Sequence, residues 1–271
     1  MSSISTLSVP SEILKDVSEK TRACLTRLSA HEPELIIDPT VHAHTSLAAV
    51  LVLLYEDAGA LRVLLTTRAK TMHCSVKLRE AYEEIELPLK SPHVHVLCTL
   101  RPFVSASRLI VGPVVAFLSA PAEVIPNLKA SETEVDQIFS HPFEALLNSE
   151  LAQGEPLVEK GGEHWAYDEE LHNFRDIPTA WLGVYRLHRF RTSHSPLKGL
   201  TAEVLLETAE IAYGRESSVE RWAPDQPRGA TSVKMVLEAA RRAITAETPA
   251  AKGWEHAASV SGPAATQEAA A

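Results

Sequence analysis

The chain has 271 residues, 45% of them hydrophobic, which is enough to bury one substantial core. Its 26 lysines and arginines stand against 35 aspartates and glutamates, a formal charge of −9 that works against sequence-blind binding to nucleic acid and gives no basic stripe for an anionic membrane. Cys24, Cys74 and Cys98 lie far apart with no CxxC pair, which argues against a disulfide framework and a structural zinc site, and no apolar run is long enough to span a bilayer.

Taken in chain order, the opening MSSISTLSVPSEILKDVSEK has no apolar signal core, so an intracellular protein is expected, with cytoplasm, peroxisome and mitochondrion left open. PSEILKDVSEKTRACLTRL predicts a helix opened by Pro10 and Ser11, inside a helical extension over residues 1–43. AAVLVLLYEDAGALRVLLTTR predicts a hairpin over 47–67, because EDAGA supplies turn residues between two Val/Leu-rich runs. Residues 76–87 carry a helical pattern that Pro88 stops. HVHVLCTL at 93–100 and RLIVGPVVAFL at 108–118 predict strands, and Gly112–Pro113 in the second suggests a bulge or an edge. ASETEVDQIF predicts an acidic helix or turn, SHPFEALL a short helical piece, and LVEKGGEHWAYDEELHNF a hairpin. GLTAEVLLETAEIAYGR, 199–215, is the clearest amphipathic helix, with Leu200, Val204, Leu205, Thr208, Ile211 and Ala212 on one face. A C-terminal helix over 226–246 and a disordered Ala/Pro/Ser/Gly tail over 247–271 complete a mixed α+β order without internal repeats.

The stretch LREAYEEIEL, residues 78–87, carries the candidate chemistry. At about 100° per residue Glu80, Glu83 and Glu84 share one side of a helix, while Leu78, Ala81, Tyr82 and Ile85 fall on the other. Converging carboxylates repel one another unless water or a cation neutralises them. The residues alone fit two readings: a solvated face countered by Lys77 and Arg79, or a site for a hard cation such as Mg²⁺ or Mn²⁺ that also holds phosphate oxygens.

REAYEEIEL resembles the C-terminal half of the Nudix box, G-x5-E-x7-R-E-U-x-E-E-x-G-U with U a bulky aliphatic residue. The surrounding LAAVLVLLYEDAGALRVLLTTRAKTMH, LRPFVSASRLIVGPVVAFL, ETEVDQIFSHPFEALL and HRFRTSHSPLKGLTAEVLLETAEIAYGR are similar to the coenzyme A diphosphatase branch of that family, in its fungal form, over residues 44–225. The resemblance implies an α/β/α sandwich with a mixed sheet and a small-molecule substrate, coenzyme A or another nucleoside diphosphate derivative, cut with Mg²⁺ or Mn²⁺. By the same resemblance Glu83 and Glu84 are metal ligands, Glu80 is a further ligand or the base that orients water, and Arg79 orients the carboxylates. The first half of the box is missing: Thr71 stands where the pattern has its upstream Glu and Leu65 where it has Gly, so the domain is shortened near 70–78, and Glu86 replaces the Gly after the helix. The alternatives are a Nudix-fold protein that binds a nucleotide or a partner without turnover, and a Nudix hydrolase of oxidised nucleoside triphosphates.

Other patterns are weaker. VHAH at 41–44 and HVHV at 93–96 place histidines two apart with no third ligand in view, and read as surface histidines. Glu134 and Asp136 could add a carboxylate to the metal site, although a charged loop is the simpler reading, and nothing beside Cys74 would lower its pKa. In SPLKGLTAEV, Gly199 and Thr201 would open a helix whose N-terminus could meet an anion if the site faces it.

Overall fold

The computed structural model describes residues 10–35, 47–68, 91–131, 135–179 and 181–247, with side chains of the last segment described through 239. Two short helices, α1 (Ile13–Asp16) and α2 (Glu19–Ser29), replace the single one expected from PSEILKDVSEKTRACLTRL. Ser18 divides them as the N-cap of α2: its hydroxyl accepts from the Thr21 N–H (3.2 Å) and donates to the Glu56 carboxylate (2.7 Å). The cap therefore also ties the helix to the first strand.

That strand, β1 (Leu47–Asp57), turns through Ala58 and Gly59 into β2 (Ala60–Arg68). Both turn residues have positive φ, 49° and 79°, as a two-residue hairpin with the right-handed twist of its strands requires. Gly59→Ala is expected to lower stability by about 1 kcal/mol, because a Cβ disfavours this φ; urea unfolding reads it, and an unchanged midpoint would show a turn that relaxes freely.

Next come β3 (Val94–Thr99), β4 (Phe103–Val104), β5 (Ile110–Leu118), helix α3 (Pro121–Val124) and β6 (Val135–Pro142). They complete a mixed six-stranded sheet in the order β3-β5-β1-β2-β6, with β4 also beside β5. β1 and β5 are parallel and the other pairs antiparallel. The fold is thus α+β with a mixed sheet, in line with the expectation from the sequence.

Two local expectations need correction. β5 is a central strand, and its register with β1 runs through Gly112 and Pro113 without a bulge. Pro113 is tolerated because its missing N–H faces the break between β3 and β4, where its carbonyl accepts from Leu100 N–H at 3.0 Å; the irregularity falls in β3, between Val96 and Cys98. The run after the acidic SETE is strand β6, because it pairs with β2 and buries Phe139 and His141 at alternating positions, while the register shift beside Arg68 turns Val135 to the other face. The helical piece expected from SHPFEALL is the 3₁₀ turn Phe143–Leu146.

A second sheet joins β7 (His172–Thr179), β8 (Gly183–Phe190) and β9 (Leu197–Lys198). The hairpin expected over 157–174 is displaced: its Gly161–Gly162 turn leads into irregular backbone, and the paired strands begin only at His172. Helices α4 (Gly199–Tyr213) and α5 (Thr231–Glu247) follow.

The main core lies on one face of the large sheet, where Val52, Leu54, Val63 and Phe117 meet Leu25 and Leu28 of α2 and Val204, Leu205 and Ala209 of α4. Each such aliphatic side chain contributes about 1.5–3 kcal/mol when buried. On the other face, Leu53, Tyr55, Ala116 and Leu118 pack with the segment after α3, and Ile110 meets Val233 and Val236 of α5. α4 buries Ala202 and Leu206 as well as its expected face, since it lies between the sheet, α2 and β8. It ends at Gly214, which takes the left-handed conformation (φ 62°), while Arg27 donates to the Ala212 carbonyl at 3.0 Å. No helix among the described residues is long and apolar enough to cross a membrane.

Candidate functional site

Arg79, Glu80, Glu83 and Glu84 lie outside the described residues, as do Thr71, Cys74, Glu86, Glu134 and the histidines of VHAH. The described ends of the acidic segment nevertheless define its connection. β2 is antiparallel to β1, β1 parallel to β5 and β5 antiparallel to β3, so β2 and β3 point the same way. β2 finishes at Arg68, opposite Val135, whereas β3 starts at Val94, opposite Leu118 at the carboxyl end of β5. Residues 69–90 therefore join strands of one direction past two intervening strands. Connections of that kind need about a dozen residues or more.

Near the departure point, the loop between β8 and α4 gathers hydroxyl groups. Thr67 Oγ1 of β2 lies 3.0 Å from Ser195 Oγ, and Thr192 Oγ1 donates to the Ser195 carbonyl at 2.8 Å. His194 N–H donates to Thr192 Oγ1 at 3.1 Å, its ring lies 5.0 Å from that of Phe139, and its Nδ1 is 3.0 Å from Ser193 Oγ. The chain then enters α4 through Gly199 at φ 61°, without a side-chain cap from Lys198. An uncapped first turn carries free N–H donors and the positive end of the helix dipole, which suits an anion. These hydroxyls escaped the sequence reading. TSHS between a strand and a helix was the signal, and only β2 and the helix brought together make it a cluster.

Between the first turns of α4 and the sheet lies a cavity of about 240 Å³. Val50, Val52, Val63, Val111, Leu200 and Val204 line it, and Ser105 and Thr201 are its polar members. Leu200 and Thr201 of GLTAEV thus look onto an apolar space, while the helix terminus meets the polar loop.

Behind the cavity, α4 carries Glu203, Glu207 and Glu210 on one stripe, a spacing visible in the sequence but not singled out from it. The side chain of Arg221 bridges Glu207 (2.9 Å) and Glu210 (2.5 Å), and buried Arg101 reaches Glu207 (2.5 Å) and the Gly229 carbonyl (3.0 Å). Tyr185 donates to Glu203 at 3.1 Å. Burial pushes the Glu203 carboxyl up, against the pull of Arg221 and Arg101, and burial also raises the Tyr185 hydroxyl. The network fastens α4 to β8 and to residues 217–229. Glu207 and Glu210 are held in ion pairs and Glu203 accepts from Tyr185, so the network offers no vacant ligand set.

The other candidates are structural. His93 approaches Glu123 at 3.8 Å, and His95 meets Ser119 Oγ at 3.0 Å with its pKa lowered by burial and then by His93. Asp136 is an exposed residue of β6. Cys24 and Cys98 are buried free thiols, each pushed up to about 11 by burial. Among the described residues no group of three or more His, Cys, Asp or Glu could hold a metal ion.

Burial of two histidine rings makes the scaffold sensitive to acid. His188 Nε2 donates to the Arg221 carbonyl at 2.8 Å, so its Nδ1 accepts from His172 Nε2 at 3.0 Å. Burial lowers His172 and His141 to about 4 each, the former aided by His188. Both are held neutral when folded and bind protons when unfolded, so their contribution is full above about pH 6.5 and is lost as pH falls from 6.5 to 4. Thermal unfolding is expected to drop steeply across that window, with a shallower slope in His141→Gln; a flat profile would contradict the burial of both rings.

No model of a known protein family matches the chain, and a comparison with curated proteins gives no match.

Proposed function

We propose that the chain is a metal-dependent hydrolase of the Nudix type, cleaving the diphosphate of coenzyme A or a related derivative into 3′-phospho-adenosine monophosphate and a phosphopantetheine. The observation that carries this reading is REAYEEIEL standing in the connection from β2 to β3 of a mixed sheet, a connection that begins beside the uncapped N-terminus of α4. Three glutamates at i, i+3 and i+4 form a hard oxygen donor set, which fits Mg²⁺ or Mn²⁺. When bound, such a cation neutralises diphosphate charge and lowers the pKa of a coordinated water.

Within this reading Glu83 and Glu84 hold the ion, and Glu80 either joins them or takes the proton of the attacking water. Arg79 keeps the carboxylates in position through its fixed fork of donors. The free N–H groups of α4 and the hydroxyls of Thr67, Ser193 and Ser195 supply neutral donors for phosphate oxygens.

One observation favours a second reading, a protein of this fold that binds without turnover. Leu65, at the place of the box's Gly, is a strand residue of β2 paired with Phe139 and packed in the core. The phosphate-side loop that such a Gly would open has no room at that position. Incubation of the whole chain with coenzyme A and Mn²⁺ or Mg²⁺, followed by ³¹P NMR, separates the two. Hydrolysis replaces the diphosphate signals with two phosphomonoester signals, whereas an unchanged spectrum from folded protein in both metals leaves the binding reading.

A further inference from the structure

The cavity between the sheet and α4 is aliphatic: among the described residues neither an aromatic nor a charged side chain lines it. We infer that it binds a saturated hydrocarbon chain of about six to ten carbons with an anionic head; the hydrocarbon site is separate from the acidic segment, whereas the head would use the donors given to phosphate above. The walls provide dispersion contacts from Val50, Val52, Val63 and Val204 but no aromatic face on which a nucleobase could stack. Nor do they offer a charged or amide side chain to pair with a base edge. Size sets the chain length: a dry cavity of about 150 Å³ takes benzene, and this one holds about 240 Å³.

The head group would share the partners proposed for phosphate. Thr67 follows Leu65 on the same face of β2, so the hydroxyl pair of Thr67 and Ser195 stands beyond the cavity wall on the side of the polar loop. The uncapped first turn of α4 opens from Gly199, directly before the lining residues Leu200 and Thr201. A carboxylate on the chain would meet these donors while its hydrocarbon stays among the valines.

Titration of octanoate into the full chain, without added metal and read by methyl NMR, tests the inference, with adenosine as the comparison ligand. Saturable shifts at Val52, Val63 and Val204 are expected with octanoate and not with adenosine. Val204→Phe, which fills the cavity, is expected to weaken octanoate binding at least about tenfold while melting as the unaltered chain does. If that variant does not fold, Ala48→Leu, on the opposite wall, is read in the same way. No saturable shift, the same shifts with adenosine, or undiminished binding by the filled variant overturns the inference. The Glu83→Gln, Glu84→Gln chain should bind octanoate normally, so a failure to hydrolyse coenzyme A and a failure to bind the hydrocarbon are separate results.

Discussion

Arg221→Ala is expected to destabilise the chain by about 3–4 kcal/mol in urea unfolding, with an unchanged dependence on denaturant. The alanine strands Glu207 and Glu210, which lose a guanidinium at 2.9 and 2.5 Å, and leaves Arg101 to balance them alone. Two guanidiniums, Arg101 and Arg221, serve Glu207 and Glu210, so removing Arg221 leaves a partly buried carboxylate without its partner. Removing a partner is costlier than the pair is worth, which is why breaking this network exceeds the effect of an exposed ion pair such as Lys160–Glu170. Arg221→Lys keeps the charge but loses the two-pronged reach and should fall between. A loss below about 1 kcal/mol for the alanine would mean that water, not protein, screens these carboxylates.

The second large effect concerns activity. Replacing Glu83 and Glu84 together by glutamine is expected to lower coenzyme A turnover at least about a hundredfold while the melting temperature stays the same or rises. Glutamine keeps the size of each side chain and removes the negative charge that a divalent cation needs, and it also relieves repulsion on a crowded acidic face. Full turnover by the double variant would sever the acidic segment from the chemistry. A collapsed melting temperature would make these glutamates structural.

Parts of the fold were legible because one residue class decided them. EDAGA between Val/Leu runs specifies the β1–β2 hairpin, and GLTAEVLLETAEIAYGR specifies α4, which stops at Tyr213, two residues before the expected end. β6 was hidden because its acidic approach, SETE, looks helical while its buried residues alternate only from Phe139, after the register shift. The β7–β8 pair was missed for a different reason. HNFRDIPT and GVYRLHRF are rich in charge, and of the three residues β8 buries only Phe190 is apolar; the others are His188 and an Arg186 that pairs with Asp176 at 2.8 Å and stacks on Phe174 at 4.2 Å. Hydropathy alternation cannot register a strand held by such contacts.

The candidate site divides in the same way. The acidic stripe is visible as local spacing, whereas the hydroxyl cluster joins Thr67 to residues 192–195 and the aliphatic cavity joins three strands to a helix. Contacts between residues so far apart in sequence leave no periodic mark.

Whether residues 78–87 bind a divalent cation is read directly from the electron paramagnetic resonance signal of free Mn²⁺ during titration into the whole chain without substrate. The unaltered chain is expected to deplete the free-ion signal, and the Glu83→Gln, Glu84→Gln variant to leave it unchanged. Mn²⁺ that stays free with the unaltered chain, or is bound equally by both proteins, would contradict the assignment of the 78–87 stretch as a divalent-cation site.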